Sequence, residues 1–251
     1  MRRIDIFGPS GVGKSTLLNS LVKNKKKRIW LTSIEAKNKI LYNNFKKPKK
    51  NLIDYVKNTI YGLQNNRFTP SFDKEKLKKF FSKKAYKYNE IIDIALKTIG
   101  DDKNIPSFMK AKRISWLVST LEDIVLLEEY YNDEIILFDE SLLNRSLHLI
   151  VNTSSEDLSF IKKFNLPYKF IYIKLDINNI FKRLKSRRRI TFDHARMNDE
   201  QLFQKIEKDV QYSEFVCLKL KDYGIEGLVI DGLMPINKNL DKINSYLFNS
   251  S

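Results

Sequence analysis

The sequence predicts an α/β fold of three layers, a parallel sheet with helices on both faces. Three observations carry this. Short apolar runs near residues 4–7, 28–32, 134–138, 170–175 and 227–231 read as strands. Most are followed by stretches with helical periodicity, and strands joined by helical crossovers pair in parallel and are covered on both faces. The first of them runs straight into Gly8-Pro9-Ser10-Gly11-Val12-Gly13-Lys14-Ser15-Thr16, a complete G-x-x-x-x-G-K-S loop ahead of a helix.

In chain order, Ile4, Ile6 and Phe7 mark the first strand as buried, and Leu17, Leu18, Leu21 and Val22 mark a helix beginning near Lys14. Arg28 to Thr32 reads as a second short strand, with Ser33, Ile34 and Glu35 at its carboxyl end. From 36 to 133 no strand stands out. Helical spacing appears over 51–63, over 73–99 (Leu77, Phe80, Phe81, Tyr88, Ile91, Ile92, Ala95) and over 110–131 (Ile114, Leu117, Val118, Leu121, Val125). Pro48, Pro70 and Pro106 separate these stretches. This helical region is expected over one edge of the site.

Ile135 to Phe138 then forms a strand ending in Asp139 and Glu140, and Ser141 to Ile150 reads as a helix carrying Arg145 and His148. Phe170 to Leu175 is the fourth strand. The helix after it, 177–189, brings Arg183 and Arg187 onto one face, four residues apart, ahead of Arg188 and Arg189. An amphipathic helix over 200–222, a strand closing on Ile230-Asp231-Gly232 and a last helix through Ile243, Tyr246 and Leu247 complete the chain. The expected organisation is one domain over 1–251, with a core of 1–35 and 134–251 and a helical insertion of about 36–133.

At 251 residues, 42% hydrophobic and 30% charged, the composition is that of a soluble globular protein. No apolar run approaches the roughly 18 residues that span a bilayer, and no leader precedes the first strand, so no membrane partner is expected. A single cysteine, Cys217, excludes an internal disulfide framework and fits a reducing cytoplasm. Two histidines exclude a histidine-based metal centre. The net charge of +16 admits a polyanion partner, but the lysines are dispersed over nearly every helix without interleaved aromatics. Nucleic acid is therefore compatible but not favoured, and a homodimer is compatible as well.

The loop's chemistry follows from its residues. Gly8, Gly11 and Gly13 permit positive φ, so the N–H groups of Ser10, Val12 and their neighbours through Thr16 can converge on phosphate oxygens. The helix adds its positive N-terminal end. Lys14 reaches the β- and γ-phosphates, and the Ser15 hydroxyl can ligate Mg²⁺. Asp139, on the strand expected beside the loop, can hold Mg²⁺ as well. The cofactors expected are ATP and Mg²⁺.

With these motifs the chain resembles the P-loop small-molecule kinases, the group of nucleoside, nucleotide and shikimate-type kinases, over residues 2–34 and 134–247. Beyond the loop, the likeness rests on R-x-x-x-R at Arg183-Leu184-Lys185-Ser186-Arg187, on the basic stretch to Arg196, and on the closing Ile230-Asp231-Gly232. The resemblance implies a three-layer P-loop nucleotide-binding fold with five parallel strands in the order 2-3-1-4-5. It also implies an arginine lid, Arg183, Arg187 and Arg189, closing over the transferred phosphoryl group. Deoxynucleoside kinases are similar in carrying a catalytic Glu after the second strand, where Glu35 falls. Their Glu-Arg-Ser triplet after the third strand reads Asp139-Glu140-Ser141 here, a departure.

The function expected is an ATP- and Mg²⁺-dependent kinase, with Glu140 or Glu35 accepting the acceptor's proton. The acceptor is a small molecule: a nucleoside or nucleotide first, a sugar or other metabolite next. The alternatives are an ATPase in which Glu140 activates water, a polynucleotide 5′-hydroxyl kinase, and a non-catalytic ATP-dependent nucleic-acid-binding module. An ABC-type ATPase would need an L-S-G-G-Q-like signature, and a GTPase suitably placed D-x-x-G and N-K-x-D motifs; the chain has neither.

Overall fold

The computed structural model describes residues 1–24, 29–45, 73–103, 105–139, 141–144, 166–187 and 197–248. The expected helix over 51–63, most of the one over 141–150, and Glu140, Arg188, Arg189 and Arg196 lie outside the described residues.

Five strands form one sheet: β1 (Arg2–Phe7), β2 (Trp30–Thr32), β3 (Ile135–Phe138), β4 (Lys169–Lys174) and β5 (Glu226–Asp231). Their order is β2-β3-β1-β4-β5 and every pairing is parallel. The fold class and the strand order are as expected. Around the sheet lie α1 (Lys14–Lys23), α2 (Ser33–Asn44), α3 (Lys74–Lys84), α4 (Asn89–Asp101), α5 (Ser107–Tyr130), α6 (Ile177–Lys185), α7 (Asp199–Asp222) and α8 (Ile236–Phe248).

Strand periodicity sorts the core. Alternate residues point to opposite faces. Ile4 and Ile6 of β1, Ile135 and Leu137 of β3, and Ile171 and Ile173 of β4 face an aliphatic layer with Leu17, Leu18 and Leu21 of α1, Ile180 and Leu184 of α6, and Ile243 and Leu247 of α8. The intervening residues Phe7, Phe138, Phe170 and Tyr172 face the other way. There they meet Ala36 and Ile40 of α2, Leu121 and Val125 of α5, and Val216 and Leu220 of α7. Phe7 stacks on Tyr172, its register partner on β4, with ring centroids 5.2 Å apart. Helix α4 joins the same layer through Ile91, Ala95 and Ile99, in the core with α5 residues.

Three expectations need correction. The helix expected over 177–189 ends at Lys185, with Ser186 at its C-cap, so Arg187 lies past its end; α2 and α5 of the expected insertion pack in one of the two helical layers that cover the sheet. The stretch 73–99 is not one helix, because a 3-10 turn at Ala85–Tyr88 separates α3 from α4. And Ser33, Ile34 and Glu35 do not end a strand; they are the first turn of α2. Thr32 Oγ1 accepts from the Glu35 N–H at 3.1 Å while Glu35 Oε2 accepts from the Thr32 N–H at 2.9 Å, a capping box that starts the helix there.

At the far edge, Gly227 of β5 pairs with Phe170 of β4. A Cβ at 227 would fall 2.0 Å from the Phe170 ring, so only glycine fits beneath it. Among the described residues no helix is long and apolar enough to cross a membrane.

Candidate active site

The loop from Gly8 to Gly13 leaves β1 at the carboxyl end of the sheet and turns into α1. A Cβ on Gly8 (φ 145°) would stand 2.8 Å from the Ile173 carbonyl oxygen, and one on Gly11 (φ 98°) 3.0 Å from Leu184 Cγ. Both positions therefore exclude side chains twice over, by space and by φ. Gly13 takes the N-cap position of α1 in a left-handed conformation, with no side-chain cap and no acidic residue in the first turn. The first N–H groups of α1 and its positive end are thus left for an anion.

Lys14 lies back along the loop, its Nζ donating to the carbonyls of Gly8 at 2.7 Å and Pro9 at 3.1 Å. Ser15 and Thr16, the next two residues, are exposed, while Ser10 is half-buried and Val12 buried in the aliphatic layer. Asp139 follows β3 directly, and β3 pairs with β1, so the carboxylate leaves the sheet beside the loop. Asp139 is half-buried.

A metal held here would meet the hydroxyl of Ser15, the carboxylate of Asp139 and phosphate oxygens. Those are hard oxygen donors, and Mg²⁺ is commonly bound by one or two carboxylates plus substrate phosphates. Among the described residues no group of three or more His, Cys, Asp or Glu side chains could hold a metal without phosphate. The donor set fits Mg²⁺.

The arginines divide. Arg183 Nη1 donates to the Val12 carbonyl at 3.0 Å and Nη2 to the Gly232 carbonyl at 2.9 Å. Its guanidinium thereby ties the phosphate loop to the end of β5. Arg187 is exposed and lies two residues past the end of α6. Both line a cavity of about 420 Å³ beside the loop, walled by Val12 and Thr16 on one side and by Gly232, Met234 and Asn239 on the other. Their meeting comes from the turn after α6 and not from a shared helix face, because α6 ends at Lys185 and Arg187 lies beyond it.

Glu35 stands elsewhere, at the carboxyl end of β2, with β3 between β2 and β1. With strands about 4.8 Å apart, it sits roughly 10 Å along the sheet from the loop's own strand. Its Oε2 serves the Thr32 cap. The structure therefore gathers Gly8, Ser10, Gly11, Val12, Gly13, Lys14, Ser15, Thr16, Arg183 and Arg187 around the loop, brings Asp139 next to it, and keeps Glu35 apart.

Several residues of the site were not anticipated. Met234, Ile236 and Asn239 supply the cavity's second wall, and the Asn239 Nδ2 donates to the Asp231 carbonyl at 2.8 Å, fixing the turn after β5. The signal for that wall was Asp231-Gly232 closing the last strand. Asn144, which bridges the phosphate loop and Asp139, had no signal at all.

Comparison with known proteins gives the fold a precedent. No family model and no curated protein matches the chain. Among solved structures it matches a deoxyadenosine kinase from M. mycoides carrying the products dCMP and a flexible dCDP. The identity is 17%, over 99% of this chain and 100% of that one, with a TM-score of 0.53. The chain has the fold of a P-loop nucleoside kinase. The same kinase with bound dATP aligns at 18% identity over 98% of each chain (TM-score 0.49). With bound dCTP it aligns at 18% over 98% and 99% (TM-score 0.46). The Asp139-Glu140-Ser141 departure thus coexists with a nucleoside kinase fold.

Proposed function

We propose that the protein is an ATP- and Mg²⁺-dependent phosphotransferase that phosphorylates a nucleoside or nucleotide. The observation that carries this is the uncapped, acid-free N-terminus of α1 behind a loop of positive-φ glycines. A cavity of about 420 Å³, roomy enough for a nucleobase, opens at its side. The structural neighbour, itself a deoxyadenosine kinase that binds deoxynucleotides, supports the choice of acceptor class.

In this reading the backbone amides of 10–16 hold the α- and β-phosphates, and the base of the donor lies in the cavity between Arg187 and Met234. Lys14 leaves the Gly8 and Pro9 carbonyls for the β- and γ-phosphates, whose charge it follows into the transition state. Ser15 and Asp139 would hold Mg²⁺, which supplies charge neutralisation at the transferred group. Arg183 keeps the loop in register with β5, and Arg187, free to move at the end of α6, closes over the phosphoryl group. Glu140 or Glu35 orients the acceptor hydroxyl and takes its proton. Closure of Arg187 over the site, with water excluded, would favour transfer over hydrolysis.

The test is an acceptor screen. The protein is incubated with ATP, Mg²⁺ and separate pools of nucleosides, nucleotides, sugars and 5′-hydroxyl oligonucleotides, and phosphorylated products are read directly. Product is expected in a nucleoside or nucleotide pool. ATP hydrolysis that no pool redirects would overturn the kinase reading in favour of an ATPase.

A further inference from the structure

Where β1 and β3 leave the sheet, one side chain spans the gap that opens between them. The ladder's register ends at Asp5 and Phe138. One residue further on, β1 approaches the phosphate loop and β3 has become Asp139. Asn144 bridges this fork. Its Nδ2 donates to the Ile6 carbonyl at 3.1 Å and to the Asp139 carbonyl at 2.8 Å, and its Oδ1 accepts from the Gly8 N–H at 3.4 Å. The side chain continues the hydrogen bonding of the sheet past the point where backbone pairing stops.

Asn144 is itself anchored. Its N–H donates to Ser141 Oγ at 3.3 Å, and Ser141 is wholly buried, near enough to the Asp5 carboxylate to favour its charged form. The demand on position 144 is specific: two donors and one acceptor at the end of a short side chain, which an asparagine amide provides. Aspartate would aim an acceptor at two carbonyl oxygens, and a hydrocarbon would leave all three backbone groups without this partner.

We propose that Asn144 is a positioning residue that sets the spacing between the phosphate loop and Asp139, so that nucleotide phosphates and the metal ion are met by one fixed frame. This rests on the kinase reading only in taking Asp139 as the metal's carboxylate. Asn144 touches no reacting atom. It acts through the two backbone segments that carry the groups which do, as outer-shell partners of metal ligands commonly act.

The experiment compares two dissociation constants, ATP in EDTA and ATP with Mg²⁺, without acceptor and by titration calorimetry, for the unmodified protein and for Asn144→Asp. The gain in affinity on adding Mg²⁺ should shrink by about tenfold or more, the range typical of lost outer-shell partners. The metal-free affinity should stay at the unmodified value. Equal losses in both constants would mark Asn144 as a general structural residue, and no loss in either would mark it as irrelevant; both results overturn the proposal. Should N144D not fold, Ser141→Ala removes the hydroxyl under the Asn144 amide and is read the same way, with a smaller loss in the same direction. An unmodified protein that binds no ATP at all would instead remove the proposed function, and this inference with it.

Discussion

The two faces of the sheet share five strands but differ in chemistry. The face that carries the phosphate loop is mainly aliphatic: Ile4, Ile6, Ile135, Leu137, Ile171 and Ile173 meet leucines and isoleucines of α1, α6 and α8, with Trp30 among them and Lys169, paired with Glu226, at one end. The opposite face is aromatic and holds buried polar groups: Phe7, Phe138, Phe170 and Tyr172 share it with the Arg3–Asp5 ion pair, 3.1 Å between Nε and Oδ1 and almost wholly inaccessible to water. A mainly aliphatic layer fixes a backbone chiefly through shape. A layer with buried charges fixes it through partners that must be present together, and is correspondingly sensitive to losing one.

The largest effect expected is on that second face. Asp5→Ala leaves Arg3 buried without its carboxylate and should cost about 3–5 kcal/mol of stability. The double change Arg3→Met with Asp5→Leu should be neutral or stabilising, because both desolvation penalties vanish together. Urea unfolding of the three proteins checks this; a double variant as weak as the single one would show that the pair is not desolvated as the structure implies. The same pair sets a pH dependence. Burial pushes the Asp5 carboxyl up to about 6 from an ordinary 3.8, against the opposing pull of Arg3. The native state therefore holds this proton more tightly than the unfolded chain. The group's contribution is most favourable below about pH 4 and is lost as pH rises to about 6. The stability of the parent relative to the double variant should fall across that window and be flat above it.

On the aliphatic face the expected effect is on chemistry and not on folding. Lys14→Ala should reduce turnover by about 10²–10³, the usual worth of a preorganised charge on the transferred group, with the unfolding midpoint unchanged. Near-normal turnover with the identified acceptor would dismiss the proposed role of the loop. A smaller effect belongs to the junction of β2 and α2. Thr32→Ala removes half of the capping box and should cost about 1 kcal/mol, measurable by thermal unfolding. A loss of activity beyond that of stability would add Glu35, released from Thr32, to the groups that serve the acceptor.

The aliphatic half was the more legible of the two in the sequence, for physical reasons. Most of the strands are compact apolar runs with glycine, proline or acid at or near an end, and the phosphate loop's residues must be of fixed type because backbone atoms do the binding. What failed were features that depend on who meets whom. Thr32 and Glu35 carried the T-x-x-E spacing of a helix start, yet the neighbouring Trp30 and Leu31 suggested that the strand continued. Arg183 and Arg187 were expected on one helix face, but α6 ends at Lys185 and the two meet at the cavity through the turn that follows. That Arg183 meets two carbonyls is decided by α6 packing against the loop, and spacing along one helix holds no trace of it. Asn144 belongs to no pattern, since its three partners come from two other strands' ends. The 3-10 turn at Ala85–Tyr88 interrupts a run whose apolar spacing reads as continuous helix; α4 and α5 could be recognised as helices without any sign of which surface they cover, and α2 was not read as a helix at all.

The glycine beneath the Phe170 ring has a consequence for the cavity at the opposite end of its strand. Among the described residues β5 is an edge strand that pairs with β4 alone, so one ladder sets its register. Gly227 supplies the stop: Glu226 or Leu228 brought under the ring would collide with it. Gly232, which receives Arg183 and walls the cavity, lies five residues further along the same chain. A slip of one residue would carry that wall about 3.3 Å along the strand. The strand thus works as a ruler with its zero mark at an aromatic ring, and the width of the cavity is measured from the end of the sheet farthest from it.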